Sequence, residues 1–389
     1  MAVIPDDQVA MMLEAVERLA RERIAPRAME VDRSAQFPRD LYRAMAELGL
    51  FGLCIPEQYG GLGADLRTIL LVSERIARAS AVCALSLANC GDASTPIALG
   101  GSDALKRRYL PGIASGELIP CFALTEPQAG SDAAAIETRA VRQGDRYVLN
   151  GRKVFCTNGS VGDLFVVFAK TDPGAGSRGV SAILVPRQTA GLSVGRDEEL
   201  LGLRGSPTTE LTFEDVTVPA DHLLGIEGGG FTLAMQTLDD SRLNAATIAL
   251  GIARAAVQIA VEYARSREQF GKPIVQHQGL AFLLAEVVTE LNAGWALLGS
   301  AIEALERERN RAASTQAAMA KLFCTDVAMR ATTEAVQVLG GYGLTRDFVV
   351  ERLMRDVKAF QIFDGTNQIQ KLIIGRHLEK AGLLMPDRW

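Results

Sequence analysis

The hydrophobic spacing of this chain changes twice, and this change limits its fold more than any other feature. From residue 6 to about 120, apolar residues recur at the intervals of an amphipathic helix, as in Val9, Met12 and Leu13. From about 231 onward the same period returns in long stretches rich in Ala and Leu, and 280–309 consists almost entirely of strong helix formers. Long amphipathic helices with short joints favour an antiparallel bundle.

The region between the two helical parts has a different pattern. Short runs rich in β-branched and aromatic residues are separated by Gly, Pro, Asn and Asp, which is typical of strands and turns. The runs are 146–149, 164–168, 180–185 and 210–213. The sequence therefore predicts an α+β multidomain protein. Its predicted parts are an N-terminal helical domain (1–120), a middle β-barrel or β-sandwich domain (121–230) and a C-terminal four-helix bundle (231–389).

Composition excludes several classes of function. The net charge of −5 argues against nucleic acid as the main partner. The six cysteines form no CxxC pair and no Cys/His cluster with metal spacing, so we expect reduced thiols and no metal site. No uninterrupted apolar run reaches the roughly 18 residues of a membrane span, and residues 1–7 do not resemble a secretory signal. We therefore expect a cytoplasmic protein without a membrane partner.

The segment 355–371 contains the most informative candidate for a catalytic group. Asp364 lies in an acid-Gly-Thr turn between two helical patterns, where Gly365 permits unusual backbone angles and Thr366 is a good helix cap. Burial raises the pKa of a carboxyl group and makes its carboxylate a stronger base. An ordinary solvent-exposed turn residue is the alternative. Three apolar residues precede the turn and favour burial: Phe360, Ile362 and Phe363.

This segment resembles the active-site sequence I-Y-E-G-T-x-x-I-Q-R of the acyl-CoA dehydrogenase family, with Asp364 where the family usually has Glu. Four further motifs follow in the family's order, at 124–132, 155–159, 267–274 and 337–343. Some relatives carry the base on another helix, at the position before an Arg. Here that position is Ser241, so this alternative base is absent.

The resemblance implies an FAD-dependent enzyme that dehydrogenates an acyl-CoA thioester between Cα and Cβ. Asp364 would take the α-proton, flavin N5 would accept the β-hydride, and the backbone N–H of residue 364 would hold the thioester carbonyl. A homotetramer and transfer of electrons to an electron-transfer flavoprotein are also implied.

The same resemblance assigns the other site residues. Those matching flavin contacts are Phe122, Leu124, Thr125, Phe155, Thr157, Arg267, Gln269, Phe270, Gln278, Gln337, Gly340, Gly341, Thr366 and Gln368. Those matching contacts to the acyl-CoA are Ser131, Asp239, Arg242 and Gly365. Part of the flavin set, including Arg267, matches a segment that reaches the FAD of a neighbouring subunit.

Two aspartates indicate an unusual substrate. Asp364 has roughly 1.5 Å less reach than Glu, and proton transfer needs near hydrogen-bond distance. Asp92 lies where the family's acyl pocket usually has a small or apolar residue, either as a second proton acceptor or as a structural Asp. We expect a cyclic or branched acyl-CoA, such as a cyclohexanecarboxyl thioester. The alternatives are a short or medium linear acyl-CoA, a nitroalkane oxidase, and a non-catalytic or nucleic-acid-associated flavoprotein.

Overall fold

The computed structural model describes residues 5–384. Residues 1–4, on which part of the prediction about a secretory signal rests, lie outside this range. The N-terminal part is helical, as the periodicity predicts. Its helices are α1 (Asp6–Leu19), α2 (Ala25–Ser34), α3 (Arg39–Glu47), α4 (Leu66–Ala79), α5 (Ala81–Gly100) and α6 (Asp103–Ala114), with a π-helical turn (Ala20–Ile24) between α1 and α2.

The middle part is one β-sheet of eight strands. They are β1 (Pro120–Ala123), β2 (Arg139–Gln143), β3 (Arg146–Thr157), β4 (Leu164–Lys170), β5 (Val180–Pro186), β6 (Leu192–Asp197), β7 (Thr208–Pro219) and β8 (Leu223–Leu224). Their order is β6-β7-β3-β2-β4-β5-β8, and β1 runs parallel to β4. The predicted runs 146–149 and 210–213 are parts of the longer β3 and β7, which pair antiparallel with bulges.

The C-terminal part is built from long helices. They are α7 (Gly230–Ser266), α8 (Gln278–Arg307), α9 (Arg311–Leu339), α10 (Val350–Lys358) and α11 (Asn367–Ala381), with a short hairpin of β9 (Glu268–Gln269) and β10 (Lys272–Pro273) after α7. Helix α9 packs against α7, α8, α10 and α11, so it is the centre of the bundle. The predicted order of helical domain, β domain and helical bundle is confirmed.

Two of the described helices are long and apolar enough to cross a membrane by length and composition alone, although the count of uninterrupted apolar runs had found none. The most apolar window of α7 is 72% buried, which is expected of a core helix. The corresponding window of α8 is only 22% buried in the single chain. Helix α8 therefore presents an apolar face outside the chain's own core.

Candidate active site

The turn that carries Asp364 has an unusual backbone. Asp364 and Gly365 have φ values of 52° and 82°, so two successive residues adopt the left-handed conformation. A Cβ atom at Gly365 would lie 2.9 Å from Nε2 of Gln370, and at this φ any side chain would also strain the backbone, so the position favours glycine. Thr366 caps α11 as predicted, because its hydroxyl accepts a 3.2 Å hydrogen bond from the N–H of Ile369.

Two buried side chains hold this turn in place. Lys321, which is fully buried on α9, donates 2.9 Å hydrogen bonds from Nζ to the carbonyl of Gly365 and to Oδ1 of Asn367. Gln370 donates from Nε2 to the carbonyls of Asp364 (3.2 Å) and Gly365 (2.7 Å). Because backbone strain persists only where surrounding contacts enforce it, these bonds fix the position of the Asp364 carboxylate.

The surroundings of Asp364 are more polar than the sequence predicts. Phe360 is fully buried and Phe363 is half-buried, but Ile362 is 55% exposed, so the prediction that Ile362 buries the turn is wrong. Removal from water raises the pKa of Asp364 to about 6, whereas the positive charges of Lys321 and Arg242 lower it. The carboxyl group is thus mostly ionised at neutral pH and still more basic than an exposed aspartate.

Asp92 belongs to the same site. It lies within α5 and not at its end, so it is not a helix cap, and it forms a hydrogen bond with Ser241 of α7. Burial raises the pKa of Asp92 well above its usual range, and the charge of Asp364 raises it further. The structure therefore brings two acids that are 272 residues apart within electrostatic reach of each other. Asp364 faces two cations, and Asp92 has a hydroxyl group as its partner.

Arg242 and Asp239, which lie three residues apart on α7, form an ion pair. The guanidinium of Arg242 bonds to Asp239 one turn earlier on α7, and Ser314 of α9 donates to the other oxygen of Asp239 at 2.5 Å. Arg242 is buried, and its charge acts on Asp364. Ser131, by contrast, is exposed in the loop after β1, and no contact described for the structure joins it to Asp364.

The predicted flavin-ring residues lie on the β domain around the start of the 124–128 loop and the end of β3. Leu124 and Thr125 are fixed by their carbonyl groups, which accept 2.9 Å hydrogen bonds from Nζ of Lys153 and the N–H of Val154. Phe155 has a φ of 55° and is 64% exposed. An exposed aromatic ring on strained backbone is typical of a binding site, and the aromatic face suits a stacked flavin.

The sequence reasoning did not identify the residues that support this surface. Lys153 and Glu126 form an almost completely buried ion pair at 2.7 Å. The Glu126 carboxylate also accepts backbone N–H groups from Glu137 (2.6 Å) and Thr138 (3.0 Å). Glu126 lies inside a motif recognised in the sequence, but no local pattern links it to Lys153.

A second group of predicted flavin residues lies apart from the Asp364 turn. Arg267, Gln269, Gly340 and Gly341 line a cavity of about 470 Å³ together with two tyrosines and apolar residues. Phe270 is 95% exposed with a φ of 53°. In the described residues no hydrogen bond or ion pair connects this cavity to Asp364. Three more predicted flavin residues are exposed at helix ends: Gln278, Gln337 and Gln368.

Comparisons with known proteins cover almost the whole chain. Three family models match, described as the N-terminal, middle and C-terminal domains of acyl-CoA dehydrogenase, at residues 6–117, 121–216 and 228–379. An acyl-CoA dehydrogenase of Bacillus subtilis is 44% identical over 96% of this chain and 98% of the relative.

Two more similarities are to proteins whose names include their substrates. A cyclohex-1-ene-1-carbonyl-CoA dehydrogenase of Syntrophus aciditrophicus is 44% identical over 96% of this chain and 90% of the relative. The solved structure of butyryl-CoA dehydrogenase from Megasphaera elsdenii matches with a TM-score of 0.93 at 38% identity. It covers 98% of this chain and 100% of that one.

Proposed function

The chain belongs to the acyl-CoA dehydrogenase family of flavin-dependent oxidoreductases, and on that basis we propose that it dehydrogenates a cyclic acyl-CoA thioester with Asp364 as the base. The observation that carries this proposal is the pair of interacting carboxyl groups, Asp364 and Asp92, in one site. A pocket for a plain hydrocarbon chain gains nothing from a second acid, because moving a carboxyl group out of water is costly.

Asp364 has the properties that α-proton abstraction needs. Its raised pKa strengthens the base, and Lys321 and Arg242 still keep it ionised at neutral pH. The proton passes to Asp364, and the electron pair of the C–H bond moves into the enolate of the thioester. A backbone N–H of the turn would stabilise the enolate oxygen, since Lys321 and Gln370 hold that turn rigidly. The bound flavin supplies the acceptor for the β-hydride.

We propose FAD as the form of the flavin, held by two chains. Leu124, Thr125, Phe155 and Thr157 would contact the isoalloxazine ring of one subunit. The cavity around Arg267 would receive the diphosphate and adenosine of a partner's cofactor, for which Arg is well suited. The poorly buried apolar face of α8 supports a homo-oligomer, proposed as a tetramer. An electron-transfer flavoprotein would then reoxidise the flavin.

Asp92, the second acid, narrows the range of candidate substrates further. The name of the Syntrophus relative denotes a ring whose α-carbon already carries a double bond, so that ring has no α-proton. Dehydrogenating it requires removal of a proton from a ring carbon conjugated with the thioester. Asp92 is our candidate acceptor for that proton, and Asp364 is the acceptor for the α-proton of a saturated ring. Because the similar structure from Megasphaera is a butyryl-CoA dehydrogenase, a short linear acyl-CoA is the second candidate substrate.

A panel of thioesters tests this proposal. The purified protein, loaded with FAD, is mixed without oxygen with cyclohexanecarbonyl-, cyclohex-1-ene-1-carbonyl-, butyryl- and octanoyl-CoA, and flavin bleaching is followed. We expect a cyclic thioester to reduce the flavin at least tenfold faster than either linear one. Faster bleaching by butyryl-CoA would favour the linear alternative, and no bleaching by any thioester would refute both.

A further inference from the structure

Ser241 is placed between two hydrogen-bond acceptors by the way α5 and α7 cross. The helices run antiparallel here: Asp92 meets Ser241, while Gly100, two turns further along α5, packs on Leu233, two turns earlier on α7. The hydroxyl oxygen of Ser241 bonds to Oδ1 of Asp92 and lies 3.1 Å from the carbonyl of Thr237. Ser241 is 2% exposed, so water has little access to this contact.

A single hydroxyl proton cannot serve both acceptors at once. When Asp92 is ionised, Ser241 donates to the carboxylate. When Asp92 is protonated, the carboxylic acid donates to the Ser241 oxygen, and Ser241 donates to the Thr237 carbonyl. Both arrangements use the same heavy-atom positions, so only the hydroxyl proton has to rotate. Asp92 can therefore gain or lose a proton without movement of either helix.

We propose that Ser241 is a positioning residue whose hydroxyl switches between Asp92 and Thr237, so that Asp92 can act as a proton acceptor from the substrate. This inference rests on the proposed dehydrogenation of a ring thioester. The proton balance is simple: a proton from a ring C–H passes to the ionised Asp92, which then donates to Ser241. The electrons of the C–H bond stay in the conjugated system of the substrate.

The charges around Asp92 disfavour its ionised form, so the Ser241 hydroxyl is needed to stabilise that form. Asp240 on α7 and Asp364 on the turn before α11 both disfavour a negative charge on Asp92, and two thiols, Cys54 and Cys90, are nearby. The cations Arg242 and Lys321 act on Asp364 instead. The bond from Ser241 is thus the principal contact that favours the ionised form of Asp92.

The test compares Ser241→Ala with wild type on two rings. Removing the donor disfavours ionised Asp92 more than neutral Asp92, because hydrogen bonds to a charged acceptor are stronger. We expect the rate of flavin reduction by cyclohex-1-ene-1-carbonyl-CoA, divided by the rate with cyclohexanecarbonyl-CoA, to fall about tenfold in Ser241→Ala. The acid limb of the pH profile with cyclohex-1-ene-1-carbonyl-CoA should move upward by about one pH unit. Ser241→Thr, which retains a hydroxyl, should restore both.

Thr247→Val is the control, because Thr247 is a buried hydroxyl on α7 and, among the residues that the structure describes, it bonds to the Leu243 carbonyl (2.8 Å) alone. It should leave the ratio unchanged. A ratio unaffected by Ser241→Ala, or equally affected by Thr247→Val, would overturn the proposal.

An infrared measurement needs no turnover and no Ser241 variant. The wild-type protein should show the C=O band of a neutral Asp92 carboxyl group that grows as the pH falls and is absent from Asp92→Asn. If no such band appears at any pH at which the protein stays folded, Asp92 does not take up a proton and the switch has no role. Activity of wild type on neither ring would instead refute the proposed function while leaving the infrared result interpretable.

Discussion

Replacing Lys321 with Met should raise the pKa of Asp364 and slow flavin reduction at neutral pH. The ammonium group is buried, bonds to the Gly365 carbonyl and Asn367, and favours the ionised form of Asp364. Loss of one nearby opposite charge shifts a carboxyl pKa by about one unit or more. From about 6, the pKa would rise to about 7 or above, so the ionised fraction at pH 7 would fall from about nine-tenths to about half or less.

Stopped-flow flavin reduction between pH 5.5 and 9 measures this shift. The acid limb of the profile should move upward in Lys321→Met, and most of the lost rate should return at high pH. Lys321→Arg keeps the charge and should move the limb less. Lys170→Met is the control, since Lys170 is a buried lysine at the end of β4 that bonds to a backbone carbonyl of the loop after this strand. A folded Lys321→Met with an unshifted acid limb would refute this electrostatic account.

Three further predictions follow from the site. Asp364→Glu should lower the rate with a ring relative to butyryl-CoA, because the longer side chain fills space over the flavin; an unchanged preference in the thioester panel would show that the length of Asp364 does not select the substrate. Because the pKa of Asp364 is higher in the folded than in the unfolded protein, ionised Asp364 destabilises the fold. Asp364→Asn should therefore have a higher melting temperature than wild type at pH 7, and this gain should disappear as the pH falls from about 6 to about 4. Lys153→Met leaves the Glu126 charge buried and unpaired, which typically costs about 3–5 kcal/mol; flavin release, measured by fluorescence, should be faster than in Lys170→Met.

Features set by local sequence could be predicted. The changes in hydrophobic period gave the order of helical and β regions, and the Asp364-Gly365-Thr366 sequence predicted a turn that ends in a capped helix. Each of these depends on residues within a few positions of one another. The predicted runs 164–168 and 180–185 nearly match β4 and β5, whereas 146–149 and 210–213 cover only parts of β3 and β7, because bulges in these two strands interrupt the alternation that identifies a strand.

Contacts between distant segments could not be predicted. The Lys321 bond to Gly365 spans 44 residues, and the Asp92 bond to Ser241 spans 149. Lys321 lies in an Ala-rich helical pattern that is typical of a lysine on a solvated face. Lys321 is buried instead, because α9 packs under the Asp364 turn. Ile362 was predicted to be buried because it is apolar, but it is 55% exposed at the end of the short helical turn before Asp364.

The most direct test of the central claim is single-turnover flavin reduction by cyclohexanecarbonyl-CoA in wild type, Asp364→Asn and Asp92→Asn. Loss of a general base typically costs about 10²–10⁴-fold in rate. We predict a loss of this size in Asp364→Asn, with flavin and thioester still bound, and a much smaller loss in Asp92→Asn. Near wild-type reduction by Asp364→Asn would contradict the assignment of Asp364 as the base. If Asp92→Asn alone abolished reduction, Asp92 would be the acceptor of the α-proton.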